Sequence, residues 1–167
     1  MSAGLTVAGS QEVGMSTLDY TIEPASGADL DDVLPLFAAY RRFFAPDGDE
    51  RASRAFLAQR FEREESVVFL ARCAGTAAGF LQLYPLWSSW YCRRIWFLSD
   101  LYVAQADRKR GVGGRLVRRA LQHARETGAS SVMVELPRRE PHLAAFYAAL
   151  GFQHDPVFDL ARHALSA

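Results

Sequence analysis

Hydrophobic and polar positions along the chain change their spacing several times, and each change predicts a boundary between two elements. Alternating or continuous apolar runs indicate strands, whereas apolar residues three to four positions apart indicate one face of a helix. The strand pattern occurs in six segments, at 20–22, 67–72, 79–84, 94–103, 131–136 and 152–158. The helix pattern occurs in four segments, at 30–38, 51–65, 111–127 and 141–150. The predicted order is therefore βααβββαβαβ.

Local signals refine these boundaries. Ser26 followed by Asp29 resembles a capping box before the first helix. Pro35 lies inside that helix and should kink or split it, because proline lacks the amide hydrogen that the helix uses. Pro85 is expected to end its strand and to open an aromatic loop at 86–93.

Length and composition predict one domain. The chain has 167 residues, of which 50% are hydrophobic, and this is enough to bury a substantial core. We predict an α/β fold with a single domain at 19–167, a mixed central sheet of six to seven strands and about four flanking helices. Residues 1–18 are small and polar without sustained periodicity, so we interpret them as a flexible leader. Whether translation starts at Met1 or Met15 is left open.

Charge and cysteine content narrow the class of protein. Nineteen acidic residues balance nineteen basic ones, so no overall field favours nucleic acid or an anionic membrane as a partner. No apolar run approaches the roughly 18 residues of a membrane helix. The first basic residue is Arg41, so the N-terminus lacks the charged start of a secretory signal, and we expect a cytoplasmic protein.

Cys73 and Cys92 match no C-x-x-C or zinc spacing and are expected to be free thiols. The histidines lack paired spacing, so no metal is expected.

The most informative stretch is 101–116, where an apolar strand runs into a glycine-rich turn and then into a helix. Unpaired N–H groups at a helix start favour an anion, and glycine lets a phosphate approach them closely. The cations of this stretch are Arg108, Lys109, Arg110 and Arg115. A dinucleotide-binding fingerprint would need a third glycine at Leu116, and a P-loop would need Gly-Lys followed by Ser or Thr. Neither is present, and an ordinary charged turn is the simpler alternative.

What remains is the pattern R-x-x-G-x-G at Arg108, Gly111 and Gly113, preceded by a strand that ends at Val103. This pattern resembles the acetyl-CoA pyrophosphate loop of the GNAT N-acetyltransferase superfamily. The stretch P-H-L-A-A-F-Y-A-A-L-G-F at 141–152 is similar to the C-terminal signature of the same superfamily. The resemblance implies acetyl-CoA as co-substrate and a set of binding residues. These residues are Leu101, Tyr102, Val103, Arg108, Lys109, Arg110, Gly111, Val112, Gly113, Gly114 and Tyr147.

Tyr147 stands four residues before the Gly-Phe pair, where the resemblance places a tyrosine that points at the CoA sulfur. A half-buried tyrosine that packs beside Phe146 is the alternative interpretation. The superfamily usually has Asn seven residues before this tyrosine, whereas this chain has Glu140, an anion that cannot donate a hydrogen bond as Asn does. Gln105 also replaces a frequent proline, a change of little expected consequence.

A narrower resemblance, to spermidine/spermine and related small-amine N-acetyltransferases, rests on Ser88-Ser89 and on F-L-S-D-L-Y-V at 97–103. It implies a catalytic role for Asp100, just before the L-Y-V strand end. A strand-bulge carboxylate that accepts local N–H groups is the alternative for Asp100, and Glu135 on the next strand competes as the acidic group.

The same resemblance implies an acidic and aromatic mouth for a small cationic amine, if the loops concerned converge. Aromatic faces would add cation–π attraction to that of the carboxylates. The mouth would consist of Asp47, Asp49, Glu50, Asp100 and the loop 87–91. Acidic residues that only solvate a loop are the alternative.

The implied function is acetyl transfer from acetyl-CoA to a primary amine by direct attack in a ternary complex. Strands splayed after Val103 would let the pantetheine bond to Leu101 and Val103, with Tyr147 protonating the CoA thiolate. The amine would lose its proton to Asp100, Glu135 or water. The acceptor is expected to be a small-molecule or peptide amine, and a homodimer is left open. A catalytically silent acetyl-CoA-binding sensor or interaction domain is the alternative function.

Overall fold

A single mixed sheet forms the centre of the molecule. The structure is a computed structural model that describes residues 19–44, 49–138 and 140–165. The strands are β1 (Tyr20–Pro24), β2 (Val67–Cys73), β3 (Thr76–Ser88), β4 (Arg93–Val103) and β5 (Ser131–Val134). They lie side by side in chain order; β1 to β4 are antiparallel neighbours, and β5 runs parallel to β4.

Helices cover both faces of this sheet. They are α1 (Leu30–Phe44), α2 (Glu50–Glu62), α3 (Val112–Glu126) and α4 (Pro141–Ala148). The predicted capping box is present, because the Ser26 backbone N–H donates to the Asp29 carboxylate at 2.8 Å and the Ser26 hydroxyl accepts from the turn that leads into α1. Pro35 neither ends nor splits α1. Its neighbours Val33 and Leu34 are buried, and this packing stabilises the helix around it.

Alternation along the strands divides the core into two parts. In β2, Val68 and Leu70 pack with α1 and α2 on one face of the sheet, while Phe69 packs with α3 on the other. In β3, Phe80 and Leu81 divide in the same way. Successive side chains of a strand point to opposite faces, so strands buried on both sides have continuous apolar runs.

The sheet has fewer strands than the six to seven that we predicted. Five strands are formed by the described residues, and no strand follows Phe152. Gly151 has the positive φ of +90° that turns the chain out of α4. Beyond it Val157 and Phe158 are 67% and 59% exposed, and the segment has no ladder with β5. An apolar strand pattern predicts a strand only where a neighbour satisfies its backbone, and this segment has none within the described chain.

Pro85 does not end β3, which continues to Ser88 and pairs with β4 throughout. Proline is accommodated here because of the edge of β3 that faces β2. The ladder between β2 and β3 ends at the pair Val67–Leu83, so beyond Leu83 one edge of β3 is open. Proline is tolerated in a strand where its missing N–H faces an open edge. The predicted aromatic loop is therefore reduced to a tight turn at 89–92.

Gly79 is the glycine that the sheet packing requires most. A Cβ at this position would lie 2.8 Å from the Tyr102 carbonyl oxygen and 3.3 Å from the Val103 Cα of the neighbouring strand. We predict that Gly79→Ala lowers the free energy of unfolding by about 1 to 3 kcal/mol, because β3 and β4 must separate to admit the methyl group. Urea denaturation measures this change.

Gly27→Ala is the matched control for this prediction, since its Cβ would meet only Phe61 at 4.0 Å. Equal effects of the two substitutions would contradict the steric explanation.

Candidate active site

An irregularity in β4 opens the sheet. Gln82 pairs with Asp100 and Leu83 pairs with Leu98, so Ser99 is an extra residue in β4, a β-bulge. The parallel ladder between β4 and β5 ends at the same place, at the pair Leu98–Val134. The two strands therefore separate from Ser99 onward, earlier than the point after Val103 that we expected.

The separated part of β4 presents backbone groups to the gap. The N–H of Ala104 donates to Ala78 of β3 at 2.8 Å. Because backbone groups alternate in direction along a strand, those of Leu101 and Val103 face away from β3 and toward the gap. The Val103 carbonyl accepts a hydrogen bond from Arg108 Nε at 3.0 Å, consistent with this direction. Two of the predicted binding positions therefore line the gap through their backbone, while the Tyr102 ring lies under the Arg108 guanidinium at 5.4 Å.

The glycine-rich turn lies at the end of this gap, where α3 begins. Gly111 is the N-cap with a φ of +80°, and Lys109 also has a positive φ, of +60°. The first turn of α3 contains neither an acidic residue nor a side-chain cap. The backbone N–H groups of residues 112–114 lack partners within the helix, as the first amides of a helix do. An exposed cation-rich turn with unpaired N–H groups is suited to a phosphate.

Gly113 has room for a side chain in the protein alone. A Cβ there would lie 3.6 Å from Phe146 and 3.8 Å from Val103, which are ordinary van der Waals distances. Packing within the chain therefore does not require glycine at this position. Glycine here would let a phosphate approach the N–H groups closely, as the predicted pyrophosphate site needs. The Arg115 guanidinium instead donates to the Tyr20 carbonyl oxygen at 2.6 Å.

Tyr147 is buried on α4, where its ring packs between Phe146 and Phe152 with centroid distances of 5.0 and 5.3 Å. Burial raises the pKa of its phenol to about 12. No hydrogen bond of its hydroxyl to a described residue is present. The packing beside Phe146 that we gave as the alternative interpretation is therefore present, although Tyr147 is more deeply buried than the half-buried residue expected there.

Asp100 lies on the opposite side of the bulge, at the inner end of a pocket of about 420 Å³ between α1, α2, β3 and β4. The pocket is lined by Phe37, Tyr40, Arg41, Ala52, Phe56, Tyr84, Ser99 and Asp100. Asp100 is only 8% exposed, and no described cation forms an ion pair with it. Burial raises the pKa of its carboxyl, while hydrogen bonds from Ser99 and Tyr40 act in the opposite direction.

Tyr40 is a residue that the sequence analysis missed. Its hydroxyl lies 3.3 Å from the Ser99 carbonyl oxygen and also hydrogen-bonds to the Asp100 carboxyl. Burial raises the pKa of Tyr40, and the negative charges of Asp100 and Glu135 raise it further. One of the two predicted catalytic residues, Asp100, is therefore a partner of the Tyr40 hydroxyl. No local signal marks Tyr40, because its contact spans 59 positions of the chain.

The predicted acidic mouth is not assembled as expected. Asp47 lies outside the described residues, and the Asp49 carboxylate accepts the Arg51 N–H at 2.8 Å as the N-cap of α2. Trp87 and Trp90, at the tip of the β3–β4 hairpin, are 73% and 75% exposed and do not line the pocket. The aromatic lining comes instead from the helices and from the middle of β3.

Three further expectations concern the position of Glu140, metal binding and membrane-spanning helices. Glu140 precedes α4 without capping it, and its carboxylate lies 3.3 Å from His142 Nδ1. The described residues contain no group of three or more His, Cys, Asp or Glu side chains that could hold a metal ion. None of the described helices is long and apolar enough to cross a bilayer.

Comparisons with known proteins agree on one family. A family model described as "Acetyltransferase (GNAT) family" matches residues 30–152. An uncharacterized N-acetyltransferase, YhfO of Bacillus subtilis, is 35% identical over 137 residues, which are 82% of this chain and 92% of that protein. A crystal structure of a probable acetyltransferase has 37% identity and a TM-score of 0.83, covering 88% of this chain and 99% of that one. The fold is shared with an aminoglycoside N-acetyltransferase in complex with CoA. That structure has 19% identity and a TM-score of 0.71, covering 87% of this chain and 95% of that one.

We predict that the Asp100 carboxyl titrates above its usual range and that Tyr40→Phe moves this titration to still higher pH. The variant removes an O–H that stabilises the ionised carboxylate, while the burial that raises the pKa remains. Side-chain carboxyl NMR over a pH series measures both values. Tyr84→Phe is the matched control, because Tyr84 lines the same pocket without a hydrogen bond to Asp100. Identical Asp100 titrations in wild type and Tyr40→Phe would contradict the interaction.

Proposed function

Because the chain belongs to the acetyltransferase (GNAT) family, we propose that it transfers an acetyl group from acetyl-CoA to the primary amine of a small molecule by direct attack. The observation that carries this proposal is the break in the sheet at Ser99. On one side of it the gap between β4 and β5 leads to the glycine-rich turn, and on the other side the pocket ends at Asp100.

Acetyl-CoA supplies an acetyl group activated as a thioester. In the proposal, Arg108, Lys109 and Arg110 attract the pyrophosphate, and the N–H groups of residues 112–114 bond to it. The backbone of Leu101 and Val103 extends the sheet by bonding to the pantetheine amides, which would displace Arg108 Nε from the Val103 carbonyl. That displacement leaves the Arg108 side chain available for a phosphate.

The acceptor amine enters from the pocket as an ammonium ion and must lose a proton before it attacks. Asp100 is our proposed base, since its raised pKa brings the carboxyl closer to the pH at which an amine is deprotonated. A bond then forms between the amine nitrogen and the acetyl carbon, the carbon–sulfur bond breaks, and the electron pair leaves with sulfur. The second proton of the amine nitrogen is released as the amide forms, and the CoA thiolate takes up one proton.

Tyr147 is the proposed partner of the leaving sulfur. A phenol with a pKa of about 12 keeps its proton in the range where a thiol, with an ordinary pKa near 8.5, is already ionised. Complete transfer of its proton to the thiolate is therefore unfavourable. Tyr147 stabilises the developing negative charge as a hydrogen-bond donor, and solvent supplies the final proton. No observation favours the silent sensor, since the chain retains both Asp100 and Tyr147.

The function is tested by incubating the protein with acetyl-CoA and a panel of amines while following free thiol. We expect amine-dependent thiol release that Gly113→Asp abolishes, because the new carboxylate would occupy the phosphate position and repel the ligand. The fold should survive, since a Cβ at 113 meets only side-chain atoms at van der Waals distance. Calorimetry gives the affinity for acetyl-CoA.

Ala55→Asp, which adds the same charge on an exposed position of α2, is the control for this substitution. Unchanged acetyl-CoA affinity in folded Gly113→Asp would remove the turn as the binding site. Absence of thiol release with every amine tested would refute the enzymatic function.

We further predict that Tyr147→Phe reduces kcat about 10- to 100-fold, the loss expected for one hydrogen bond to a charged group. The affinity for acetyl-CoA should change little, because the ring and its packing are retained. Single-turnover kinetics and calorimetry measure the two quantities. Tyr91→Phe, at the exposed hairpin tip, is the control. Full chemical turnover in Tyr147→Phe would show that the Tyr147 hydroxyl does not stabilise the developing charge on sulfur.

A further inference from the structure

The pocket of the proposed acceptor contains one charged side chain of each sign. Asp100 lies at its inner end, and Arg41 of α1 lines the same pocket. Buried or half-buried charges normally find an oppositely charged partner within the protein. These two lie in one pocket without forming an ion pair with each other.

Arg41 is held in place by neutral acceptors. Its Nη1 donates to the Ser53 hydroxyl at 2.6 Å and to the Asp49 carbonyl oxygen at 3.3 Å. Ser53 is only 2% exposed, so this end of the guanidinium is fixed at the start of α2. Among the described residues no carboxylate forms an ion pair with Arg41, and the nearby Asp49 carboxylate is used at the Arg51 N–H. The side chain is thus positioned while no carboxylate of the described residues neutralises its charge.

The neighbouring charges do not compensate Asp100 either. Arg60 is the cation on the adjacent part of α2, and its Nε lies 2.7 Å from the Glu65 carboxylate in an ion pair. The groups that hydrogen-bond to Asp100, Ser99 and Tyr40, are neutral. Since no cation of the described residues pairs with Asp100, a ligand can supply the positive charge there.

Aromatic side chains form the walls between the two charges. Phe37 and Phe56 stack in parallel with a centroid distance of 5.9 Å and an interplanar angle of 6°. Tyr84 lines the pocket from β3, and Phe37 also contacts Phe80 edge-to-face at 6.0 Å. These walls offer an apolar surface to the body of a ligand and no further charge.

We propose that the acetyl acceptor is an amine that also carries an oxyanion, either a carboxylate or a phosphate, joined by a compact body. The ammonium lies at Asp100, the oxyanion at Arg41 and the body against Phe37 and Phe56. Arginine suits this task because its planar guanidinium binds carboxylate and phosphate with two parallel hydrogen bonds. This inference rests on the proposed function, and it replaces the small cationic amine expected from the sequence with a dipolar molecule as the preferred acceptor.

The test compares pairs of acceptors that differ only in the oxyanion. Phenylalanine and phenethylamine form the carboxylate pair, and glucosamine 6-phosphate and glucosamine form the phosphate pair. We expect at least one anionic member to have a kcat/KM at least tenfold above that of its neutral-tailed partner. The pair that shows the preference identifies the oxyanion. In Arg41→Gln the preference should fall at least tenfold, while kcat/KM for the neutral-tailed partner stays within about twofold.

Two further variants control for the loss of a positive charge and for misfolding of Arg41→Gln. Arg42→Gln removes a charge from the next, exposed position of α1, which does not line the pocket, and should retain the preference. Arg41→Lys keeps the charge but loses the paired hydrogen bonds, so the preference should fall by less than in Arg41→Gln. This variant serves as the test if Arg41→Gln folds poorly. Equal losses for both members of each pair in Arg41→Gln, or a wild-type preference for the members without an oxyanion, would overturn the inference.

The proposed function and this inference can fail separately. Thiol release with neutral-tailed amines alone would keep the enzymatic function and refute the dipolar acceptor. If no amine gives thiol release, calorimetry of the same four compounds with wild type and Arg41→Gln still measures the preference as an affinity ratio. A ratio near one in wild type would refute the inference without reference to catalysis.

Discussion

The single extra residue in β4 is the constraint on which the site depends. A regular ladder through residues 99–103 would pair β4 with β5 and close the gap, leaving no free backbone for a ligand. The bulge at Ser99 coincides with the end of the β4–β5 ladder at Leu98–Val134. It therefore connects two features that would otherwise be separated by a continuous sheet, namely the gap that leads to the glycine-rich turn and the pocket under α1 and α2.

Tyr40 is the group that links the bulge to the pocket. Its hydroxyl has one proton and two acceptors, the Ser99 carbonyl oxygen and the Asp100 carboxyl. An ionised carboxylate is the stronger acceptor, so the O–H favours Asp100 when that group has lost its proton, and the Ser99 carbonyl remains an acceptor when it is protonated. Tyr40 thereby keeps a hydrogen bond in both protonation states, and burial of the phenol is tolerated in each.

Sequence reasoning predicted the parts of this site that are local in the chain. The glycine-rich turn, the start of α3 and the position of Tyr147 before Gly151 each follow from residues within about a dozen positions, and local patterns carry that information. The pocket could not be predicted in the same way. Tyr40 and Asp100 meet only because α1 packs on β4, and a tertiary contact of this kind leaves no periodic signal. The strand expected at 152–158 failed for a related reason, since an apolar pattern cannot specify whether a neighbouring strand exists.

Desolvation acts on the two proposed catalytic groups in the same direction but with different consequences. Burial disfavours the charged form of every acid, so it raises the pKa of both Asp100 and Tyr147. For the carboxyl, whose ordinary pKa is far below that of an ammonium ion, the change makes it a better base. For the phenol, the change secures the proton that a hydrogen-bond donor needs. In the proposed mechanism, burial thus favours removal of a proton from the amine by Asp100. The same burial favours retention of the phenol proton of Tyr147 beside the sulfur.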